Sequence, residues 1–482
     1  MYGSHIIKLY SDLFKGGSVK GGKKMSKGKK KTSRGAFFPS ILENVNNPNS
    51  VNEEGDELMV RPIIPEVVEL IDGLSEQENS DIAVNRERID SKEENMSVFK
   101  IKRFNKDSGN SIEQFLVNGY YFDIITNVVE LSKKEAYAHF TSRIDDPKEF
   151  LKNILISSTM DDQERFFLVG EAAENHQLGN KHIAKLHNKV ESDIPYICFL
   201  AGAAYYHVLH AENPNQSDVE IDYFSTMLPI WLLKKGDKFA EMQDQMAARF
   251  RGEHNVMIVT PGVERTLSIK VATTKCRIEG ADARWAIKKN FKLEDNELAN
   301  QFNDFQTLMH DIGGGTCDLA FLPAGLKAPK NRSALQSLTD ISYLQHIEKL
   351  RTEKLLEFFP DVRSLEKFIY ENINNSKLKI VDGSSGKTTD LTKLIHDSLR
   401  SYAKIYNAKV ENTFPLPQGK IYKNVYLGGN GTVLQKFIEE VIIEKYGKEI
   451  QEQYHIFLPD AGKLNLYALE ILSLNETAAA TA

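Results

Sequence analysis

The sequence predicts an α/β protein built in two halves. Three observations carry that expectation: strand and helix patterns alternate along the chain, an acid-plus-glycine turn occurs in two separate regions, and a third glycine cluster joins a strand to a helix. Residues 1–95 stand apart from this pattern. Lys15 to Arg34 (KGGSVKGGKKMSKGKKKTSR) is basic and Gly-rich without one acidic residue, whereas Glu53 to Glu94 is dominated by Glu and Asp. Both blocks are too polar to build a core, so a mostly disordered extension is expected, with one short amphipathic helix over Val60 to Leu74 after Pro65. A solvated tail, an expression remnant and a basic arm on DNA phosphates or another polyanion all fit it.

From Met96 the run MSVFKIKRFNKDSGNS alternates into a strand and breaks at Asp107, Ser108, Gly109, Asn110 and Ser111. That turn leads to a second strand over Gln114 to Phe122. A strand at Arg165 to Val169, a long helix at Ile194 to His210 and a strand at Asp222 to Leu228, stopped by Pro229, follow. Arg277 to Lys288 (RIEGADARWAIK) reads as a helix with Glu279 in its first turn, where a carboxylate suits the helix dipole.

Phe305 to Met309 and Cys317 to Leu322 read as strands on either side of HDIGGGTCDL. Asp311 ends the first apolar run, and Gly313, Gly314, Gly315 and Thr316 make the tight turn between them. Amides of such a turn can point at a phosphate, and a carboxylate at its mouth can hold a hydrated Mg²⁺ that neutralises nucleotide phosphates. The strand-to-strand context, without any G-x-x-x-x-G-K-[ST], separates it from a Walker loop. Two acid-tipped turns from two halves of a chain can clamp one phosphate chain.

Beyond Pro323, Tyr343 to Phe359 is expected to be helical, with Leu344, Ile347, Leu355 and Phe358 on one face. The strand Lys423 to Leu427 then passes through Gly428, Gly429 and Gly431 into a helix lined by Val433, Phe437 and Val441. Glycines there would let a flat adenine lie against the backbone; a tight strand-to-helix connection is the plainer alternative. A short amphipathic helix over Asp460 to Ser473 closes the pattern.

With 482 residues, 41% hydrophobic and 27% charged, the chain can bury two or more sizeable cores. It shows no apolar run of about eighteen residues and no apolar signal core, which predicts a cytoplasmic protein without a membrane span. Cys198, Cys276 and Cys317 lack metal-ligand spacing and read as small buried hydrophobes rather than a disulfide framework.

The order of these motifs, two acid-glycine turns, an early acid between them, the GGxG cluster and a closing small-residue helix, resembles the actin-type ATPase superfamily. DSGNS at 107–111, LHNKVESDIPY at 186–196, LPIWLLKKGDKF at 228–239 and DIGGGTCDL at 311–319 are similar to the bacterial plasmid-segregation actins of the ParM and Alp type. The resemblance spans about residues 96–474. It implies an actin-like fold with two α/β domains around a central nucleotide cleft: domain I over 96–305, with the helix 460–474 returning to it, and domain II over 306–459. Members usually begin just before the first phosphate loop, so Met96 resembles a native start.

Carried over residue by residue, the resemblance places Asp107, Ser108, Gly109, Asn110 and Ser111 in the first phosphate loop. Asp311 and Gly313 to Thr316 form the second. Asp107 and Asp311 would face Mg²⁺ mainly through waters, Glu279 would orient the hydrolytic water, and Gly428, Gly429 and Gly431 would pack on the adenosine. The resemblance implies ATP, with GTP open, a homopolymer that turns over with hydrolysis, and an adaptor protein that links the filament to plasmid DNA. Lys106 and Ser108 depart from the apolar residues usual in that first strand. Two rivals share the fold: a small-molecule kinase, for which Asp282 is the one nearby candidate base, and a nucleotide-sensing scaffold that never hydrolyses. A DnaK-type chaperone fits less well, because no peptide-binding domain follows the last helix.

Overall fold

A computed structural model of the chain describes residues 98–179, 188–236, 238–415 and 421–481. The expectations for 1–95, including the basic arm Lys15 to Arg34 and the helix Val60 to Leu74, lie outside the described residues. The strands, in chain order, are β1 (Phe99–Ser108), β2 (Ile112–Val117), β3 (Tyr120–Ile125), β4 (Val128–Leu131), β5 (Ile154–Met160), β6 (Gln163–Val169), β7 (Asp218–Leu228) and β8 (Gly252–Ile258). There follow β9 (Arg265–Ile278), β10 (Thr307–Ile312), β11 (Cys317–Leu322), β12 (Leu335–Leu338), β13 (Lys379–Val381), β14 (Thr388–Asp390), β15 (Lys423–Leu427) and β16 (His455–Phe457). They form a nine-stranded sheet ordered β3-β2-β1-β7-β9-β8-β5-β6-β4, a five-stranded sheet ordered β12-β11-β10-β15-β16, and the small pair β13-β14.

The order β3-β2-β1-β7-β9 in the large sheet is repeated as β12-β11-β10-β15-β16 in the other. In each, an antiparallel hairpin is extended by two strands parallel to its first member. Each glycine turn is therefore the tip of a hairpin at the edge of its own central strand, which is where a sheet leaves backbone amides free. Separate cores support the two sheets. Phe104, Phe115, Phe199, Phe224 and Phe250 fill one, and Leu308, Leu319, Tyr402, Tyr406 and Phe437 fill the other. The helix Ile194–His210 is buried along almost its whole length against the first sheet, which explains why its apolar run shows no polar face.

Two sequence expectations are corrected. The strand Gln114 to Phe122 is two strands, because Asn118 (φ 48°) and Gly119 (φ 87°) make a two-residue hairpin turn whose left-handed backbone suits Asn-Gly. The helix Arg277 to Lys288 is also overturned. β9 runs to Ile278, the chain turns at Glu279 and Gly280 (φ 72°), and only Arg284–Lys288 is helical. The preceding run RTLSIKVATTKCRI alternates buried and exposed residues between β7 and β8, so strand pairing carries through the point where a helix was expected.

Smaller differences concern boundaries. β10 continues through Asp311 and Ile312, and the helix from Tyr343 is regular to Leu350 before a wider π-type turn over Arg351–Leu355. The closing helix runs Leu464–Thr481 and packs on β1 and β7. Arg103 donates to Glu470 Oε1 through Nε (3.0 Å) and Nη2 (2.9 Å), and Tyr223 donates to Glu476 Oε2 at 2.6 Å. The three cysteines are free and buried. Among the described residues no helix is long and apolar enough to cross a membrane.

Candidate functional site

The first turn is shaped by hydrogen bonds that leave its tip open. Gly109 N–H donates to the Ile112 carbonyl at 3.1 Å, and Thr126 Oγ1 donates to the Gly109 carbonyl at 2.8 Å. A Cβ on Gly109 would come within 2.5 Å of the Ile112 oxygen, so no side chain fits there. Beneath it, the fully buried Lys106 donates to Glu113 and to Ser108 Oγ. These contacts explain both departures from an apolar strand: Lys106 and Ser108 belong to a buried polar network that props the turn from below.

The second turn closes through Gly313 N–H to the Thr316 carbonyl at 3.0 Å. Gly314 offers its carbonyl to Leu344 N–H and to Ser342 Oγ, both at 2.9 Å, so the start of the helix Tyr343–Leu350 fixes it. The two turns meet: a Cβ on Gly314 would lie 3.7 Å from Ser111 Oγ. Ser111 in turn donates to Glu366 Oε1 at 2.7 Å, on the helix Val362–Asn372. Asn110 is half-buried at the tip of the first turn, and Gly315 and Thr316 are half-buried in the second.

Around this junction the carboxylates crowd together. Asp107 keeps one face open but is ringed by protein; burial, then the charge of Glu279, pushes its pKa up to about 8. Asp311 is buried, and the same two causes raise it to about 7. Asp318 lies directly across the hairpin from Asp311 and is likewise raised to about 7, by burial and then Glu279. Its Oδ2 accepts from Ile230 N–H at 3.0 Å.

Glu279 reaches the cluster from the turn after β9. Its N–H donates to the Leu228 carbonyl at 3.0 Å, which ties the turn to the end of β7. Asn465, at the start of the closing helix, joins the two regions: it accepts from Gly280 N–H at 3.0 Å and donates to Asp311 Oδ2 at 2.7 Å. Asp282, by contrast, is used locally. Its Oδ2 accepts from Ile278 N–H at 3.0 Å and its Oδ1 from Arg284 at 2.6 Å, so it is the clamp of its own turn.

The third glycine cluster abuts the same aspartate. Gly428 (φ 86°) lies so near that a Cβ would fall 2.5 Å from Asp311 Oδ1 and 2.7 Å from the Ile312 carbonyl oxygen. The helix begins at Gly429, so Gly429 and Gly431 occupy its first turn rather than the connection before it. Gly462 packs on Gly429, while the face that a Gly429 side chain would fill is open.

The donor set suits a hydrated divalent cation. Asp107 and Asp311 could hold such an ion through waters, and no group of three or more His, Cys, Asp or Glu among the described residues is arranged to ligate a metal directly. A cavity of about 370 Å³ lined by Tyr137, Phe140, Met257 and Pro261 contains none of these residues and plays no part in the site.

Asp318, Lys189 and Asn465 were not singled out from the sequence. Asp318 was accessible in principle, because a hairpin centred on Gly313–Thr316 must place 318 opposite 311. Lys189 and Asn465 meet the site across 90 and 154 residues of chain; Lys189 lies within the stretch LHNKVESDIPY, but nothing in that stretch assigns it to the site.

Comparison with solved structures gives an actin-like protein, Alp7A, 50% identical, matching 80% of this chain and 98% of that one with a TM-score of 0.75. The chain belongs to the Alp7A-like family of actin-like proteins. A model of the Alp7A C-terminal domain matches residues 306–461, the region holding the second turn and the GGxG cluster. More distant members of the fold include Bacillus thuringiensis ParM with ATP (16% identity, 79% and 99% of the two chains, TM-score 0.53). A ParM from Clostridium botulinum, seen in a 15-stranded filament, matches at 16% identity over 78% and 99% of the chains, with a TM-score of 0.56. No curated protein sequence matches the chain. For this Alp7A-like protein, the repeated five-strand order and the paired turns are thus the actin-like fold expected from the motifs.

Proposed function

We propose that this Alp7A-like chain is a filament-forming ATPase of the cytoplasm that moves plasmid DNA, with nucleotide held between the two glycine turns. The observation that carries the reading is the junction itself: turns from two separate sheets meet at Ser111 and Gly314, ringed by Asp107, Glu279 and Asp311. The relatives add to it, since one ParM is described with ATP and another as a filament. Domain I (96–305, with the closing helix) would carry the first turn and Glu279, and domain II (306–459) the second.

Asp107 and Asp311 would hold Mg²⁺ through waters, and the ion would offset phosphate charge. Amides of Gly109 to Ser111 and of Gly313 to Thr316 would receive the phosphates; Gly428, Gly429 and Gly431 would pack on the adenosine. Glu279 would orient the attacking water. Loss of the γ-phosphate removes contacts shared by both turns, so the two lobes can rotate and a head-to-tail contact between subunits loosens. Self-association is then the primary partnership, with an adaptor on plasmid DNA as the second. A kinase reading has no support at Asp282, whose two oxygens serve its own turn.

Phosphate release with Mg-ATP tests the assignment. Wild-type protein is expected to turn over, and Glu279→Ala to lose roughly 100-fold or more; wild-type rates in that variant would refute the role of Glu279.

A further inference from the structure

The nucleotide reading uses acids and glycines and leaves one buried cation at the centre of the site without a role. Lys189 lies just before the helix Ile194–His210 with its side chain 9% exposed. Its Nζ donates to Glu279 Oε1 at 2.8 Å and to the main-chain carbonyl of Ser108, the residue after Asp107. One ammonium therefore ties the turn after β9 to the first glycine turn.

Its own backbone is held in place. The Lys189 carbonyl accepts from Arg249 Nη1 at 2.7 Å, and the Asn188 carbonyl and side chain accept from Ser192 N–H (2.8 Å) and Val190 N–H (3.0 Å). Burial favours the neutral amine, but the Glu279 carboxylate and the other acids nearby outweigh it, so the ammonium stays charged. The other buried lysine nearby, Lys106, is already committed to Glu113.

A buried ion pair can be structural only, with the lysine there to neutralise Glu279. The geometry points further. A carboxylate on a turn has rotors that leave its two oxygens interchangeable, and a water-orienting group needs one oxygen held still. Lys189 takes Oε1 and anchors it to the first phosphate turn, which leaves Oε2 as the acceptor for the attacking water. We propose that Lys189 is a positioning residue for nucleotide hydrolysis, fixing Glu279 against the turn that receives the phosphates. This rests on the role given to Glu279 above.

The test is single-turnover phosphate release from Mg-ATP by the full chain, for wild type, Lys189→Gln, Glu279→Gln and the double variant, with ATP affinity measured in parallel. Lys189→Gln is expected to lower the rate roughly tenfold or more while ATP affinity changes less than about threefold. The double variant should be no slower than Glu279→Gln, because the lysine acts through that residue. If Lys189→Gln leaves an unpaired acid and fails to fold, the comparison of Glu279→Gln with the double variant, in which that acid is neutral, still decides. A further tenfold loss in the double variant, or a wild-type rate in Lys189→Gln, overturns the proposal. A wild-type rate in Glu279→Gln overturns the hydrolytic assignment itself, and the proposal with it.

Discussion

Replacing Asp318 by Asn should stabilise the protein without Mg²⁺ and nucleotide, and the gain should grow with pH. The residue is buried opposite Asp311, and burial, followed by Glu279, moves its pKa from 3.8 to about 7. The folded chain thus keeps a proton that the unfolded chain releases. Stability linked to this group is complete below the unfolded value and is lost as pH rises through the folded one. Asparagine has no such proton and can still accept from Ile230 N–H. Each pH unit in the window is worth about 1.4 kcal/mol, so the gap between variant and wild type should widen by about 2 kcal/mol from about pH 5.5 to about pH 7 and then level off. Urea unfolding followed by the fluorescence of Trp231 and Trp285 measures it. A gap that stays constant, or that widens towards acid, would refute the charge-crowding argument.

Other perturbations probe the scaffold around the site. Gly428→Ala puts a Cβ on a left-handed backbone (φ 86°) 2.5 Å from Asp311 Oδ1, and should abolish the thermal shift produced by Mg-ATP. Asn465→Ala strips Gly280 N–H of its acceptor and Asp311 of its donor, at a cost of about 1–3 kcal/mol by urea unfolding. It should also push the Asp311 pKa higher, because that hydrogen bond opposes the rise. Arg103→Met leaves the buried Glu470 without its cation and should cost about 3–5 kcal/mol in the same assay, whereas exposed pairs such as Lys100 with Glu220 should cost under about 1 kcal/mol.

The parts of the fold that a reader of the sequence can find are those fixed by local chemistry. The helix Ile194–His210 and the strand Lys423–Leu427 have the boundaries their apolar runs suggest, and both turns fall at the glycines of 109 and 313–315, with no room for a side chain at Gly109. The hairpin at Asn118-Gly119 was equally legible, since the dipeptide names the turn, but the apolar residues on both sides read as one continuous strand. β9 was hidden by a different competition: RIEGADARWAIK has helical composition, and only pairing with β7 shows that its first two residues finish a strand. Within the site, Asp107, Glu279 and Asp311 announce themselves by their glycine neighbours. Lys189, Asn465 and Glu366 do not, because each is recruited from a distant element by hydrogen bonds to the site.

The central claim is that one nucleotide, gripped by both turns, controls assembly. Light scattering and electron microscopy of the purified protein with Mg-ATP, with a non-hydrolysable analogue and without nucleotide test it most directly. Filaments with both nucleotides, decaying only with ATP, and none without nucleotide are the expected result. Equal assembly in all three conditions, or a protein that stays monomeric with Mg-ATP, would contradict the account.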